Sequence, residues 1–276
     1  MIHPTAIVHP EAKLDATVQV GPFAVIDQAV QIGPRCVIGP HVYITGVTQI
    51  GSDNRFHAGC VIGDAPQDLK YREEPTRLRI GDHNVFREHF TVHRSTQASE
   101  ETIIGSHNFL MANAHVAHNC VVGNHVIIAN GALLGGHVVV QDRAFISGNC
   151  LVHQFTRIGT LALMQGGSGI SKDLPPFTIA LRDNEICGLN IIGLRRAGFN
   201  AEERLELKRV YHSLFSSGQN LRLALAKAAD EFQSGPAKTL VEFVAAARRG
   251  VCADVRTARV SMVDSGRDSA DESQPV

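Results

Sequence analysis

Histidine is concentrated in residues 111–125 (MANAHVAHNCVVGNH), where His115, His118 and His125 lie among apolar and amide side chains. An imidazole can act as a general base near neutral pH, bind a metal, or remain a solvated surface group. No Ser or Cys lies beside a histidine in a recognisable nucleophile arrangement, so a covalent acyl-enzyme is not expected. The stretch therefore favours proton abstraction by an imidazole, provided that the fold brings further polar groups to it.

A period of six residues determines where these histidines lie. Every sixth residue from Ile2 to Ile170 is a large apolar residue, except at Asp68, Glu74 and Ala98. This period differs from that of an α-helix, about 3.6, and from that of a strand, about 2. It is the period of the hexapeptide β-helix, in which three hexads make one triangular coil and successive coils stack.

Two further columns repeat within the hexads. Glycine often follows the apolar residue, as at Gly33, which suits a corner that needs a positive φ or a close approach of the backbone. The position four after the apolar residue is small and includes Cys36, Cys60, Cys120 and Cys150. These cysteines are predicted to be small buried hydrophobes rather than reactive groups.

The hexads predict an all-β β-helix over residues 1–177. Two polar stretches, 65–79 and 95–103, lack the repeat and are predicted to be loops that leave the prism. The first of them mixes an amide, acids and bases, which suits the binding of something polar.

A C-terminal α-helical subdomain is predicted over 178–255. Leu, Val, Ala and Phe recur at helical spacing within 201–215, 219–232 and 236–249, and Gly or Ser-Gly-Pro sequences separate these segments. The polar tail, 256–276, is predicted to be disordered.

Composition excludes several classes of function. The 276 residues carry a formal net charge of −1. A chain this close to neutral has no net electrostatic attraction to nucleic acid or to an anionic membrane surface. No apolar run is long enough to cross a bilayer, and the first residues do not resemble a signal peptide. The six cysteines contain no C-x-x-C pair, and reduced thiols suit the cytoplasm. We therefore expect a cytoplasmic protein that binds neither nucleic acid nor membrane.

Residues three hexads apart stack on successive coils, ~4.8 Å from one another. His118, Gly136 and Gln154 therefore share one column, and Asn119 and His137 share the next. None of them lies in the large apolar column, so this flank is either a solvated polar surface or a site. In a site, a histidine would deprotonate an acceptor while the N–H of Gly136 holds the oxyanion of the attacked carbonyl.

Seven motifs follow one another along the chain: QDLKY (67–71), EPTRLRIGD (74–82), HVAHNCVVGN (115–124), GGHV (135–138), VHQF (152–155), SKDLPPF (171–177) and NIIGLRRAGF (190–199). Their order and spacing resemble those of the UDP-N-acetylglucosamine O-acyltransferase family, which catalyses the first step of lipid A biosynthesis. The hexads alone indicate only hexapeptide-repeat acyltransferases. The resemblance implies a left-handed winding and a homotrimer with active sites between subunits. It also implies transfer of a 3-hydroxyacyl chain to the 3-position of the sugar.

The resemblance assigns roles to individual residues. His118 matches the general base that deprotonates the sugar 3-hydroxyl, and Gly136 matches the oxyanion donor. A wider set matches positions that contact the sugar, the acyl chain, the nucleotide or the carrier: Gln67, Asp68, Lys70, His115, His137, His153, Gln154, Asn190 and Arg196. The region that sets acyl length corresponds to Met164, Gln165 and Gly166.

The implied donor is acyl carrier protein, which holds the chain on phosphopantetheine, so neither a further cofactor nor a metal is expected. This carrier is acidic. Basic residues of the helical region could dock it, although a charge run on a helix is more often a solvated face: Arg195, Arg196, Arg204, Lys208 and Arg209.

Two positions depart from the family pattern. Asn119 stands where the family usually has Asp directly after the histidine, and a neutral amide supports an imidazolium less than a carboxylate does. Ile192 stands where Glu commonly lies next to the nucleotide. The first departure raises the hypothesis that the acceptor is the more nucleophilic 3-amino analogue of the sugar.

Three alternatives remain open from the sequence. A related N-acyltransferase acts later in the same pathway, but it carries an extra domain before its β-helix, whereas hexads begin here at residue 2. The gamma-class carbonic anhydrases bind zinc on this fold through an H-x4-H pair, which this sequence lacks. The third alternative is a non-catalytic scaffold that binds nucleotide sugars.

Overall fold

The computed structural model describes residues 1–255, in which a long prism of short strands is followed by a small group of helices. The predicted disordered tail, 256–276, lies outside the described residues.

The strands of the prism recur at the predicted six-residue interval. In chain order they are β1 (Ile7–Val8), β2 (Lys13–Leu14), β3 (Gln19–Val20), β4 (Val25–Ile26), β5 (Gln31–Ile32), β6 (Val37–Ile38), β7 (Tyr43–Ile44), β8 (Val47–Ile50), β9 (Arg55–Phe56), β10 (Val61–Asp64), β11 (Arg77–Ile80), β12 (Val85–Phe86), β13 (Thr91–His93), β14 (Glu101–Ile104), β15 (Phe109–Leu110), β16 (His115–Val116), β17 (Val121–Val122), β18 (Ile127–Ile128), β19 (Leu133–Leu134), β20 (Val139–Val140), β21 (Phe145–Ile146), β22 (Leu151–Val152), β23 (Arg157–Ile158), β24 (Leu163–Met164) and β25 (Gly169–Ile170).

Each strand pairs in parallel with the strand three places later in the chain, which gives the prism three faces. The first face contains β1, β4, β7, β10, β13, β16, β19, β22 and β25, the second runs from β2 to β23, and the third begins with β3. The register joins residues three hexads apart, such as His115 with Leu133 and Leu133 with Leu151. Stacking at this interval, which the sequence analysis assumed, is therefore confirmed.

The large apolar column fills the interior. Phe56 and Phe86 are fully buried, and their rings stack 4.5 Å apart on successive coils. The small column lies inside as well, since Cys36, Cys60 and Cys120 have no exposed surface. Burial of this kind removes apolar area from water at each coil, which stabilises the stack as a whole.

Close approach explains the glycine column better than a positive φ does, since within that column only Gly63 has a positive φ. A Cβ on Gly33 would lie 2.7 Å from the carbonyl oxygen of Gly51 on the next coil. The positive φ occurs two residues further along the turn, at Arg35, Asp53 and His83 among others. Asp, Asn and His tolerate this left-handed conformation better than most side chains do.

One edge of the prism is closed by a ladder of buried amides. The turns after β8, β11, β14 and β17 form what we call the asparagine corner: residues 51–54, 81–84, 105–108 and 123–126. Asn84 donates to Asn54 Oδ1 from its backbone N–H at 2.9 Å and from Nδ2 at 3.0 Å. The backbone N–H of Asn108 donates to Asn84 Oδ1 at 2.9 Å, so the ladder satisfies polar groups that have no access to water.

The two polar insertions are shorter than predicted. The last residues of 65–79 belong to β11, and those of 95–103 belong to β14, which pairs with it. Outward-facing Arg and Glu side chains make these strands resemble loops, whereas every second residue is buried. We call the remaining segments loop 1 (65–76) and loop 2 (94–100).

The helical region begins later than residue 178, since β26 (Thr178–Leu181) and β27 (Glu185–Leu189) first extend the third face. Paired to β27 is a last short strand, β28 (Ala253–Asp254).

The helices are α1 (Ile191–Arg196), α2 (Ala201–Tyr211) with a π-helical turn (His212–Ser216), α3 (Leu221–Glu231) and α4 (Gly235–Ala245). α2, α3 and α4 overlap the three segments with helical spacing, and α1 was not predicted. An Asn200–Glu203 capping box begins α2.

Candidate active site

One corner of the prism gathers the predicted polar groups. Loop 1, loop 2 and three later turns all follow strands of the first face, and together they form what we call the site corner: residues 65–76, 94–100, 117–120, 135–138 and 153–156.

Two clefts meet at this corner. A cleft of about 770 Å³ is lined by Leu133, Leu134 and Leu151, and we call it the leucine cleft. A cleft of about 830 Å³ lies between loops 1 and 2, and we call it the loop cleft. His118 and Gln154 line both clefts, so a substrate group in either cleft can reach the His118 imidazole.

His118 is 9% exposed where the two clefts meet. Its Nδ1 lies 2.8 Å from the side-chain oxygen of Asn119. Because an amide oxygen only accepts, Nδ1 carries the proton and Nε2 carries the lone pair. Nε2 has no hydrogen-bond partner within residues 1–255. The ring is therefore arranged as a general base.

Asn119 is held by partners from loop 2 and from β14. Its Oδ1 also accepts from the backbone N–H of Thr96 at 3.1 Å, and its Nδ2 donates to the carboxylate of Glu100. Its own backbone N–H donates to Thr102 Oγ1 at 2.8 Å. The residue has a φ of 59°, which asparagine adopts more readily than most residues.

Gly136 lies directly against the His118 ring. A Cβ at this position would be 2.5 Å from Cε1 and 2.7 Å from Nε2 of His118. Any side chain would therefore displace the imidazole. The backbone N–H of Gly136 has no partner among the described residues, whereas its carbonyl accepts from Phe155. This N–H is available to an oxyanion beside the base.

His115 extends the cluster along the first face. Its Nδ1 lies 2.7 Å from Thr91 Oγ1, and its ring meets the buried His93 edge to face at 4.7 Å. Burial lowers the pKa of His115 to about 4, and the charges of His93 and His118 act in the same direction. Burial also lowers the pKa of His93. Both rings are therefore neutral at neutral pH and can bind substrate only through hydrogen bonds.

His137 lines the loop cleft. Its ring stacks on Phe155 at 4.5 Å and meets His118 nearly at right angles, with the ring centroids 5.3 Å apart. Burial, and secondarily the charge of His118, lowers the pKa of His137.

Loop 1 divides its predicted residues between the clefts. Gln67 lines the leucine cleft, whereas Asp68 and Lys70 line the loop cleft together with Arg72 and Glu74. The cationic side chains of Lys70 and Arg72 are exposed, which suits the binding of an anionic substrate group.

His153 and Gln154 are exposed at the edge of the leucine cleft. The Nδ1 of His153 lies 3.1 Å from the carbonyl oxygen of Gln154 and 3.4 Å from Nη2 of Arg249.

Asn190 and Arg196 lie apart from the site corner. They line a cleft of about 970 Å³ over the third face, together with His125 and Arg143. The side chain of Asn190 caps α1 by accepting from the N–H of Gly193 at 2.9 Å, and its Nδ2 donates to a carbonyl of the prism. A single chain therefore does not bring these two residues to His118.

The acyl-length region divides between the core and the surface. Met164 is completely buried inside the prism, so its side chain faces the core and not a substrate, contrary to the prediction. Gln165 and Gly166 are exposed, and a Cβ on Gly166 would meet only the carbonyl oxygen of Gly148, at 3.5 Å.

The predicted docking residues lie mainly at helix C-termini, where positive charge is favourable. They occupy the last turns of α1 and α2, except for Arg204, which donates to the carbonyl of Phe199.

Other chemistries find less support at this corner. Burial raises the pKa of the Cys120 thiol to about 12, which makes it a poor nucleophile. Within residues 1–255, no three His, Cys, Asp or Glu side chains are arranged to hold a metal ion.

No helix in that part of the chain is long and apolar enough to cross a membrane.

Sequence reasoning missed the contribution of loop 2. Thr96 and Glu100 contact Asn119, although neither belongs to a hexad. Stacking by hexads cannot locate residues of an insertion, and only the polarity of the segment pointed to it.

Comparison with known proteins adds to this geometry. A family model described as UDP N-acetylglucosamine O-acyltransferase, domain 2, matches residues 173–252, and a bacterial transferase hexapeptide model matches 11–46, 29–64 and 101–136. An acyl-[acyl-carrier-protein]--UDP-N-acetylglucosamine O-acyltransferase of Halorhodospira halophila is 47% identical over 253 residues, or 91% of this chain and 98% of the relative.

Solved structures similar to this chain belong to the same family as its sequence relatives. A UDP-N-acetylglucosamine acyltransferase of Francisella novicida superposes with a TM-score of 0.90 at 33% identity, covering 99% of this chain and 100% of the other. One from Bacteroides fragilis gives 0.88 at 41% identity, covering 91% and 99%. The predicted fold class, an all-β left-handed parallel β-helix followed by a C-terminal α-helical subdomain, is confirmed.

Proposed function

Because the chain belongs to the UDP-N-acetylglucosamine O-acyltransferase family, we propose that it transfers a 3-hydroxyacyl chain from acyl carrier protein to the 3-hydroxyl of UDP-N-acetylglucosamine, the first step of lipid A biosynthesis. The observation that carries the mechanism is that Nε2 of His118 and the adjacent N–H of Gly136 both lack a hydrogen-bond partner within residues 1–255.

The reaction needs one base and one oxyanion site. Nε2 of His118 takes the proton of the sugar hydroxyl as its oxygen attacks the thioester carbonyl. The N–H of Gly136 donates to the oxyanion of the tetrahedral intermediate. Collapse breaks the carbon–sulfur bond, and the imidazolium returns its proton to the departing thiolate. The products are the 3-O-acyl sugar nucleotide and the free thiol of the carrier.

The two clefts suit the two parts of the complex. The loop cleft presents Lys70 and Arg72, which match the charge of a diphosphate, and its His137 can hydrogen-bond a sugar substituent. The leucine cleft suits an acyl chain, with Gln67 and Gln154 available to its 3-hydroxyl. Gln165 lines the cleft over the third face, and Gly166 follows it in the same turn, so these two residues would limit chain length only from a neighbouring copy.

A homotrimer accounts for the distance between the two groups of predicted residues. Asn190 and Arg196 lie over the third face, whereas His118 lies between the first and second. A neighbouring copy that packs its third face against the site corner would bring Arg196 to the substrate. It would also cover Leu151, which is 56% exposed on the first face.

The remaining partners follow from the donor. Phosphopantetheine arrives on acyl carrier protein, so the chain itself needs no cofactor. The exposed bases of α1 and α2 suit an acidic carrier. Six free cysteines, five of them buried, suit the cytoplasm.

The alternative acceptor is the 3-amino analogue, which would make this chain an N-acyltransferase. Asn119 motivates it, because an amine needs less help from a base than a hydroxyl does. The metal hydratase alternative requires several side chains that converge on one point, whereas within residues 1–255 no three His, Cys, Asp or Glu side chains are arranged to hold a metal ion.

The test is mass spectrometry of products formed from a mixture of 3-hydroxyacyl carrier proteins of different chain length. Each assay contains either UDP-N-acetylglucosamine or its 3-amino analogue. We expect a product from the hydroxyl sugar that mild alkali cleaves, as an ester must. Product from the amino sugar alone, stable to alkali, would assign the N-acyl reaction instead. No product from either sugar would remove the proposed activity.

A further inference from the structure

We infer that Glu100 is a positioning residue that acts through Asn119 to hold His118 in the tautomer that a general base requires. The inference rests on the proposed function, and it concerns a residue of loop 2 that lies outside the hexads.

An asparagine beside a catalytic histidine creates an ambiguity that an aspartate does not. Its side chain presents either an acceptor oxygen or a donor NH₂. If the NH₂ of Asn119 faced His118, Nδ1 would have to accept, and the proton would sit on Nε2, the atom needed as the base. In a serine protease, changing the triad aspartate to asparagine produces this wrong tautomer and lowers kcat by about 10⁴.

Loop 2 removes the ambiguity at both ends of the amide. The Glu100 carboxylate can only accept, so it requires Nδ2 of Asn119 on its side. The backbone N–H of Thr96 can only donate, and it lies 3.1 Å from Oδ1. Asn119 is 7% exposed, so water cannot compensate for a reversed amide. The oxygen is therefore directed at His118.

Glu100 also places a negative charge on the side of Asn119 that faces away from His118. During transfer His118 gains a proton, and a carboxylate one amide away stabilises the imidazolium. The other titratable groups near the ring are His93, His115 and His137, whose pKa values burial lowers. The remaining charged groups of the loop cleft are Asp68, Lys70, Arg72 and Glu74. Among these groups, Glu100 alone contacts Asn119 in the described structure.

The next residue provides a matched control. Glu101 begins β14 and faces outward, where it lies 3.0 Å from Arg79 and 3.8 Å from Arg77. It has the same carboxylate as Glu100 at the adjacent position, and in the described part of the chain it makes no hydrogen bond to Asn119.

The kinetic experiment compares Glu100→Gln, Glu101→Gln, Asn119→Asp and the double variant Glu100→Gln/Asn119→Asp. A glutamine can present either end to Asn119, so we expect Glu100→Gln to lower kcat by about tenfold or more with little change in KM. Glu101→Gln should match the wild type. An aspartate at 119 accepts in every orientation, so in that background Glu100→Gln should cause no further loss. Wild-type kcat in Glu100→Gln, or an equal loss in both backgrounds, would overturn the inference.

A spectroscopic arm makes the test independent of turnover. The ¹⁵N shifts of the His118 ring report which nitrogen is protonated. We expect the Nδ1–H tautomer in the wild type and in Glu101→Gln, and a substantial Nε2–H population in Glu100→Gln. An unchanged tautomer in folded Glu100→Gln, checked by thermal unfolding, would overturn the role of Glu100. If no protein, wild type included, acylates a sugar, the proposed function fails, and the tautomer still decides this inference.

Discussion

At the asparagine corner, the amides of Asn54, Asn84 and Asn108 are buried, and they hydrogen-bond the backbone of the next coil. At the site corner, the same kind of turn leaves Nε2 of His118 and the N–H of Gly136 unpaired within the described structure. Both corners include residues of positive φ. The two corners thus share the backbone conformation of their turns, and they differ in which polar groups have a hydrogen-bond partner. Unpaired groups are costly, so their concentration at one corner marks that corner as functional.

Removal of the base should have the largest effect. We expect His118→Ala to lower turnover by ~10²–10⁴, as for loss of a general base. The control is His107→Ala, since His107 lies in a turn of the asparagine corner and stacks on His125 and His83. Steady-state acyl transfer with purified proteins measures both. Equal losses in the two variants would remove the functional difference between the corners.

A methyl group on Gly136 should follow in size. Its Cβ would lie 2.5 Å from the His118 ring, so the ring must move. A displacement of about 1 Å can cost ~10² in rate, and we expect Gly136→Ala to lower kcat by about that factor. Gly235→Ala is the control, because a Cβ there meets nothing within 4 Å and the residue lies at the start of α4, outside the proposed site. Retained kcat in Gly136→Ala would show that the ring position is not critical.

At the asparagine corner the effect should fall on stability instead. Asn84→Ala removes the acceptor of the Asn108 N–H and the donor to the carbonyl of Gly105. We expect the free energy of unfolding to fall by about 1–3 kcal/mol, with kcat unchanged at a temperature where the variant is folded. Urea unfolding and turnover, measured on the same preparation, check this. A large loss of kcat in the folded variant would contradict the division of roles.

The last prediction concerns the pH dependence of the free energy of unfolding. The unfolded chain protonates His115 below about pH 6.5, whereas the folded chain does so only near its lowered pKa of about 4. The unfolded state therefore binds more protons in this window, and stability falls as the pH decreases from 6.5 towards 4, by at most about 1.4 kcal/mol per unit for this group. Urea midpoints of the wild type and His115→Gln at several pH values measure it. We expect a shallower slope in the variant, and an identical slope would refute the assignment.

Much of this comparison can be predicted from the sequence. The six-residue period places His118, Gly136 and Gln154 in one column, because a β-helix converts a fixed interval into spatial contact. The same rule predicts the buried cysteines. It also explains why Met164, a member of the apolar column, lies in the core and not at the substrate.

The parts that escape prediction are those without a period. Glu100 and Thr96 reach Asn119 from an insertion whose path depends on its own hydrogen bonds. The strand at 77–80 is hard to predict because its outward-facing residues are arginines, which make the segment resemble a polar loop. Asn190 matches the motif at 190–199, but its side chain caps α1. Its distance from the site corner is visible only in the three-dimensional structure.

The most direct test of the central claim observes the two corners together. In protein with ¹⁵N-labelled histidine, NMR signals of the rings are followed as UDP-N-acetylglucosamine is added. The account predicts that the signals of His118 and His137 shift and saturate with the substrate, while those of His83 and His107 at the asparagine corner stay in place. Shifts confined to His83 and His107, or no shift at His118 at saturation, would contradict it.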